Sequence, residues 1–308
     1  MEKSSQISGF YKKSLDERTR FVADWADLTP DDLATLQGDG LPPTTANDMI
    51  ENCIGTYRLP LGVAVIFQIN TRDYLIPMAV EEPSVLAAVS FAAKLIRTGG
   101  GFDTESSEPI MIGQIQVLDI PDMDAAITAL TANKKALMQT ADSVSSSIVK
   151  RGGGSRDIEI RPFPESPVGP MLVVHLLYDC RDAMGANAIN TAVETIAPMV
   201  SEITGGRTNL RILSNLTDRR TATARCRIPA DSLTTKDGTP GALVAQRIEE
   251  ANAFAIVDPY RAATHNKGIM NGIDAVCIAT GNDWRAIESG AHAYAARDGQ
   301  YRALTDWH

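Results

Sequence analysis

The stretch PYRAATHNKGIMNGID, residues 259–274, carries one lysine, Lys267, set between Asn266 and Gly268 with Arg261 six residues upstream. Glycine lets the backbone approach a ligand closely, and an ammonium group in a partly dry setting polarises a carbonyl oxygen. Glu82 lies in VEEPSVLAA, where Pro83 begins a helix, so its carboxylate falls at or just before a helix N-terminus. The helix dipole favours the anion there, while burial favours the acid. Asp283 lies in ATGNDWRAIESG, where Asn282 or Asp283 serves as an N-cap. Each residue also has an ordinary explanation: a loop lysine, a helix-capping acid pair at Glu81–Glu82, and a cap with no further role.

RDAMGANAIN, residues 181–190, reads as a strand-to-helix turn of small residues. Such a turn presents backbone N–H groups to an anion or pyrophosphate. It is not GxGxxG, so a tight turn in which Gly185 allows close packing explains it equally by pattern. The histidines are His175, His265, His292 and His308, with no two at ligand spacing, and no metal site is expected. His175 lies in an apolar strand and reads as core; His265, near Lys267, is the one near the candidate chemistry. Cys53, Cys180, Cys226 and Cys277 form no CxxC pair and read as structural thiols.

The elements that must position these residues follow from periodicity. TPDDLATLQGDG is a helix with Thr29 as N-cap and Pro30 at its first position. LPLGVAVIFQI and RDYLIPMAV are extended segments around a turn. PSVLAAVSFAAKLIRTGGGF is an amphipathic helix, with Val85, Val89, Ala92 and Ile96 on one face, started by Pro83 and stopped by Gly99. From residue 108 the order becomes strand, helix, strand, strand, helix, strand, the ferredoxin-like βαββαβ arrangement. The fold class is therefore α+β. A large, mostly helical domain (1–107 and 220–308) receives an inserted α+β domain (108–219). RGGGSRD is the nearest thing to a flexible linker.

The 308 residues are 44% hydrophobic, ample for a large core, and the net charge of −9 argues against nucleic-acid binding. The N-terminus has no apolar h-region and no apolar run approaches a membrane span, so a cytoplasmic protein without a membrane partner is expected.

Seven motifs occur in series: ENCIGTYRLPLGVA, VEEPSVLAA, GGGSRDIEI, RDAMGANAINT, RILSN, DPYRAATHNKGIMNGID and ATGNDWRAIE. Together the chain resembles the hydroxymethylglutaryl-CoA (HMG-CoA) reductases of the soluble bacterial class over essentially its whole length. The resemblance implies an NAD(P)-binding domain inserted into a CoA- and HMG-binding domain, and a four-electron, NADH- or NADPH-dependent interconversion of HMG-CoA with mevalonate and CoA, in either direction. It implies Glu82, Lys267 and Asp283 as the catalytic acid, lysine and aspartate. The chemistry suits them: an ammonium stabilises the thioester oxyanion, a carboxyl that keeps its proton near neutral pH supplies it, and Asp283 bridges the two. Arg261, Ser84 and Asn271 match positions around the HMG group, and an arginine suits its carboxylate. Asp182, Met184, Gly185, Asn187 and Asn215 match cofactor contacts. Lys12 and Lys13 are placed, by charge and position alone, near the CoA phosphates. A homodimer is implied, with ENCIG near the subunit junction.

Two departures from the family pattern stand out. NAD-preferring members carry an aspartate seven residues before the GGG run; the same count from Gly152 gives Ser145 here, with Lys150 and Arg151 nearby, and Asp142 substitutes only if the helix end shifts. The choice between NADH and NADPH stays open. The family also continues past LTDWH into a flap bearing a histidine that protonates the CoA thiolate, and none of the four histidines matches it. The flap is expected to be missing from this chain, with turnover impaired and binding partly retained. The alternative is a non-catalytic CoA- or nucleotide-binding remnant.

Overall fold

A computed structural model describes residues 3–38 and 40–308. Three short helices, α1 (Leu15–Ala26), α2 (Pro30–Gln37) and α3 (Pro43–Met49), precede β1 (Leu61–Ile69), β2 (Arg72–Ala79), α4 (Val85–Arg97) and β3 (Phe102–Ser106). The next run is β4 (Ile110–Leu118), α5 (Met123–Ser143), α6 (Ser146–Lys150), β5 (Gly154–Phe163), β6 (Met171–Asp179), α7 (Ala186–Thr204) and β7 (Arg207–Ser214). Then come β8 (Ala222–Cys226), α8 (Gly241–Val257), α9 (Pro259–Ala279) and α10 (Trp284–Ala295). The fold class is α+β, as the sequence implies.

The strands form two sheets, ordered β2-β1-β3-β8 and β5-β6-β4-β7. In the second sheet the strands alternate sides. Met111, Ile115 and Val117 enter a core under α5 and α7, with Leu130, Leu137, Ile158, Leu172, Leu176, Ile189 and Ile196 fully buried. Each such side chain contributes about 1.5–3 kcal/mol of transfer free energy. The other face holds a smaller buried cluster of Ile110, Ile112 and Leu177, and there His175 is buried against Gln114 at 2.9 Å.

In the first sheet α4 packs on β1 and α9 on β2, around Ala64, Met78, Val85 and Ala275. Asp73 of β2 is clamped there by Arg97 of α4 at 2.8 Å and by the Ser5 N–H at 2.7 Å. β3 and β8, which local pattern did not mark as strands, pair antiparallel from Phe102↔Cys226 to Ser106↔Ala222. Their pairing is non-local, so no short-range periodicity announces it.

Four local readings change. α4 begins at Val85 with Ser84 as N-cap, so Pro83 lies in the preceding turn, and Ala93 rather than Ala92 is buried. The buried stripe follows i, i+4, i+8 and i+11, which passes position 93. The stretch around Lys267 is interior to a 21-residue helix rather than flexible backbone. RGGGSRD is no linker: a Cβ on Gly153 would lie 2.5 Å from Ile148 Cγ2 and 2.6 Å from the Asp179 carbonyl. No helix among the described residues is long and apolar enough to cross a membrane.

Candidate active site

Glu82 and Asp283 lie toward the same end of α9. Val85 of α4 shares a cluster with Ala275, and four residues later Val89 stands 3.9 Å from where a Gly272 Cβ would be. α4 therefore runs antiparallel to α9, and its N-terminal turn, with Glu82, lies toward the α9 C-terminus. Ser84 Oγ donates to Glu82 Oε1 at 3.0 Å. Asp283 rather than Asn282 caps α10, accepting the Ala286 N–H at 3.2 Å, and its Oδ1 lies 3.4 Å from Arg285 Nε.

Lys267 is elsewhere. The α9 end is pinned where the Asn282 N–H donates to the Cys277 carbonyl at 2.8 Å. Cys277 is ten residues past Lys267, about 15 Å along the axis at 1.5 Å per residue. A lysine stem reaches about 6 Å, so one chain does not bring Lys267 to Asp283. Lys267 is exposed and shares a helix face with Asn271 at i+4. Arg261 lies in the first turn of α9, near His265; burial, then the Arg261 charge, hold the His265 imidazole below its usual range. His265 itself meets Thr305 at 2.6 Å, and Asn266 donates to the Arg302 carbonyl at 2.8 Å, docking the segment after α10 on α9. Gly268 has nothing within 4 Å of a would-be Cβ, so this surface is open.

Asp274 escaped sequence reasoning. It continues the face of Lys267 and Asn271 at i+7, and its Oδ1 is buried without a partner among the described residues. Burial, then the charges of Glu288 and Glu81, push its carboxyl above the usual range, with His292 opposing. The i, i+4, i+7 spacing was legible; the burial was not.

The other candidate residues gather at one end of the second sheet. Gly185 has φ 93°, and a Cβ there would lie 2.4 Å from Met111 Sδ and 2.8 Å from Cys180 Sγ, so only glycine fits. α7 starts at Gly185 with no capping side chain and no acid in its first turn. Its first N–H groups are thus free for an anion, the arrangement a pyrophosphate needs. Arg220, another residue without a sequence signal, staples the preceding loop through Cys180 Sγ at 3.2 Å and the Met184 carbonyl at 3.3 Å. Asp182, Met184 and Asn187 are exposed around this turn. A cleft of about 270 Å³ opens beside it, lined by Ile148, Arg151, Arg181 and Asp182 among others. Ser145 is half-buried at the start of α6. Asn215, after β7, touches α10: a Cβ on Gly290 of that helix would lie 2.5 Å from its carbonyl oxygen. Lys12 and Lys13 are exposed near the N-terminus, apart from these clusters in sequence.

The profile of the Hydroxymethylglutaryl-coenzyme A reductase family matches residues 14–308. The 3-hydroxy-3-methylglutaryl-coenzyme A reductase of Archaeoglobus fulgidus is 49% identical over 304 residues, covering 99% of this chain and 68% of its own length. The probable reductase of Borreliella burgdorferi is 33% identical, covering 85% of this chain and 59% of its own. Among solved structures, the Streptococcus pneumoniae reductase superposes with TM-score 0.92 at 43% identity, covering 98% of this chain and 81% of that one. A second structure of that enzyme, described as class II and bound to NADPH in open conformations, matches at TM-score 0.92 and 42% identity. On a match that runs from residue 14 to the last residue, the chain belongs to the hydroxymethylglutaryl-coenzyme A reductase family.

Proposed function

We propose that this chain reduces HMG-CoA to mevalonate and CoA with two NAD(P)H, or runs the same reaction in reverse. The observation that carries the reading is the 49% identity across 99% of the chain, with Glu82, Lys267 and Asp283 all present. The nicotinamide, when bound, supplies hydride, once for each two-electron step. Lys267 holds positive charge against the carbonyl oxygen as it gains negative charge, first at the thioester and then at the aldehyde. Between the two steps the first tetrahedral adduct breaks its C–S bond and CoA departs as a thiolate that takes its proton from solvent, and Glu82 gives the proton that turns the final alkoxide into the alcohol. Asp283 orients the ammonium, Arg261 pairs with the free carboxylate of the substrate, and Ser84 and Asn271 fix its orientation.

Because one chain separates Lys267 from Asp283, the reading includes a homodimer in which Lys267 of one protomer joins Glu82 and Asp283 of its partner. Surface area supports it. The chain exposes 18974 Å², against about 12,600 Å² for a compact monomer of this mass. Ile54, in ENCIG, is 105% exposed, and Met49, Ile50, Tyr57 and Leu61 around it are also open, an apolar stretch of the kind that partners cover. On a two-fold axis each half-site meets its complement twice.

Residues 108–219 act in this reading as the NAD(P)-binding domain within 1–107 and 220–308. The chain leaves and returns through neighbouring strands, with the Ser107 N–H donating to the Thr221 carbonyl at 2.9 Å, the connection an insertion needs. A cytoplasmic site of action agrees with four free thiols. The test is steady-state turnover in both directions, HMG-CoA with NAD(P)H and mevalonate with CoA and NAD(P)⁺. Lys267→Ala is expected to abolish reduction; turnover of that variant at the parent rate refutes the reading.

A further inference from the structure

We propose that Asp274 is a positioning residue of the reaction: it keeps a proton in the seam between α9 and α10 and with it ties Glu288 of α10 to α9, so that Asp283 stays set against the turn bearing Glu82. This role rests on the reductase reading above, which gives Asp274 no task. Asp274 follows Lys267 and Asn271 on one face of α9. Its neighbour Ala275 packs with Val85, and the Val85 N–H donates to the Glu82 carbonyl at 3.2 Å. Asp274 therefore stands beside the Glu82 turn. α10 runs back along α9 from its cap at Asp283. The Asn282 N–H meets the Cys277 carbonyl at one end, and just past the other Asn266 Nδ2 donates to the Arg302 carbonyl. Glu288 lies in the second turn of α10, so holding it holds the helix that Asp283 caps.

A buried acceptor needs a donor, and Asp274 Oδ1 has none among the described residues. The charges that reach it are Glu288 from α10 and Glu81 from the turn before α4, with His292 of α10 opposing them. Its own helix adds the Cys277 thiol, which burial and then the Asp274 charge hold above its usual range. His292 is already engaged: Nδ1 meets the Tyr301 hydroxyl at 2.7 Å, and Nε2 lies 3.7 Å from Glu288 Oε1. No three His, Cys, Asp or Glu side chains among the described residues come together as a metal ion needs. The cation left to the seam is a proton. Burial and the two like charges favour the neutral carboxyl, and a neutral carboxyl turns the orphan acceptor into a donor toward Glu288. Two carboxyls that share one proton attract, whereas two carboxylates repel. Loss of that proton sets three acids against one imidazole and pushes α10, with Asp283, away from α9.

The test is reduction of the free aldehyde intermediate by NAD(P)H, followed against pH on the full chain for the parent, Asp274→Asn and Asp274→Ala. Asparagine keeps a neutral donor at every pH, and alanine keeps none. Asp274→Asn is expected to hold the parent rate within about twofold near pH 6 and to keep it to higher pH, because its basic limb loses only the Glu82 proton where the parent loses two. Asp274→Ala is expected to lower kcat about tenfold with KM nearly unchanged, the effect of one charge-assisted hydrogen bond. Urea denaturation gives a readout that needs no turnover. An acid whose folded pKa is raised contributes stability below its unfolded value, about pH 4, and loses that contribution as pH rises through the folded value. Asp274→Asn escapes the loss, so it is expected to gain on the parent as pH rises. A basic limb that Asp274→Asn leaves unmoved, or Asn and Ala variants that fall alike, overturns the proposal while leaving the reductase reading intact. A parent chain that reduces neither thioester nor aldehyde removes that reading, and this role with it.

Discussion

If Lys267 works with the Glu82 and Asp283 of a partner protomer, two inactive variants must rescue each other when mixed. The perturbation is Lys267→Ala in one chain and Asp283→Ala in the other, co-expressed with different tags. Cys277, which anchors the turn before Asp283, lies about 15 Å from Lys267 along α9, and the two side chains together span about 9 Å. The shortfall of about 6 Å is twice a hydrogen-bond length. In a mixed dimer one site combines both lesions, and the other combines an intact Lys267 with an intact Asp283. Random pairing makes half the dimers mixed, each with one working site, so the pool recovers about a quarter of the parent activity. Tag-purified mixed dimers recover about half. The assay is oxidation of NAD(P)H with the free aldehyde intermediate as substrate. That step expels no thiolate and so isolates the charge stabilisation assigned to Lys267. Activity of the mixture at the level of the separate variants, with dimers confirmed by sedimentation, would falsify the shared-site reasoning.

Two further outcomes follow from the packing. Gly185→Ala forces a Cβ to within 2.4 Å of Met111 Sδ at φ 93°. Left-handed strain and overpacking together cost about 2–5 kcal/mol, so thermal melting followed by circular dichroism is expected to drop by about 5–10 °C, and dinucleotide affinity to fall with it. Unchanged melting means the turn relaxes freely. For pH, burial and then the Arg161 charge hold His175 below its usual range, and His265 is lowered likewise. The unfolded chain therefore binds more protons, so stability is full above about pH 6.5 and declines as pH falls toward the lowered folded values. Urea denaturation at pH 7.5 and 5.5 reads this slope, and His175→Gln is expected to flatten it. A slope identical in that variant shows that His175 is not its source.

Much of the second sheet was legible in the sequence. β4, α5, β5, β6, α7 and β7 announce themselves because helical periodicity, strand runs and the glycines at 205 and 206 act over a few residues. The cap at Thr29 was equally local, and its hydroxyl accepts the Asp32 N–H at 3.2 Å. Readings failed where a glycine-rich stretch was equated with flexibility. Gly268 and Gly272 sit in helix α9, and Gly152–Gly154 form a packed turn whose carbonyl at Gly152 accepts from two arginines. Glycine permits many backbones, and only its neighbours choose among them.

The sequence alone determined which residues stand as candidates for the chemistry: Glu82, Lys267, Asp283, Arg261 and the turn at Gly185. It also determined the α+β order, because those signals are written residue by residue. Tertiary structure decided distance and commitment. It set Lys267 three turns from the end of α9 that precedes Asp283, spent Asp142 on Ser155, and left the Asp274 Oδ1 buried without a partner among the described residues. The physical reason is that helix length, strand register and competition for hydrogen-bond partners depend on residues far apart in the chain. No local window of sequence contains them.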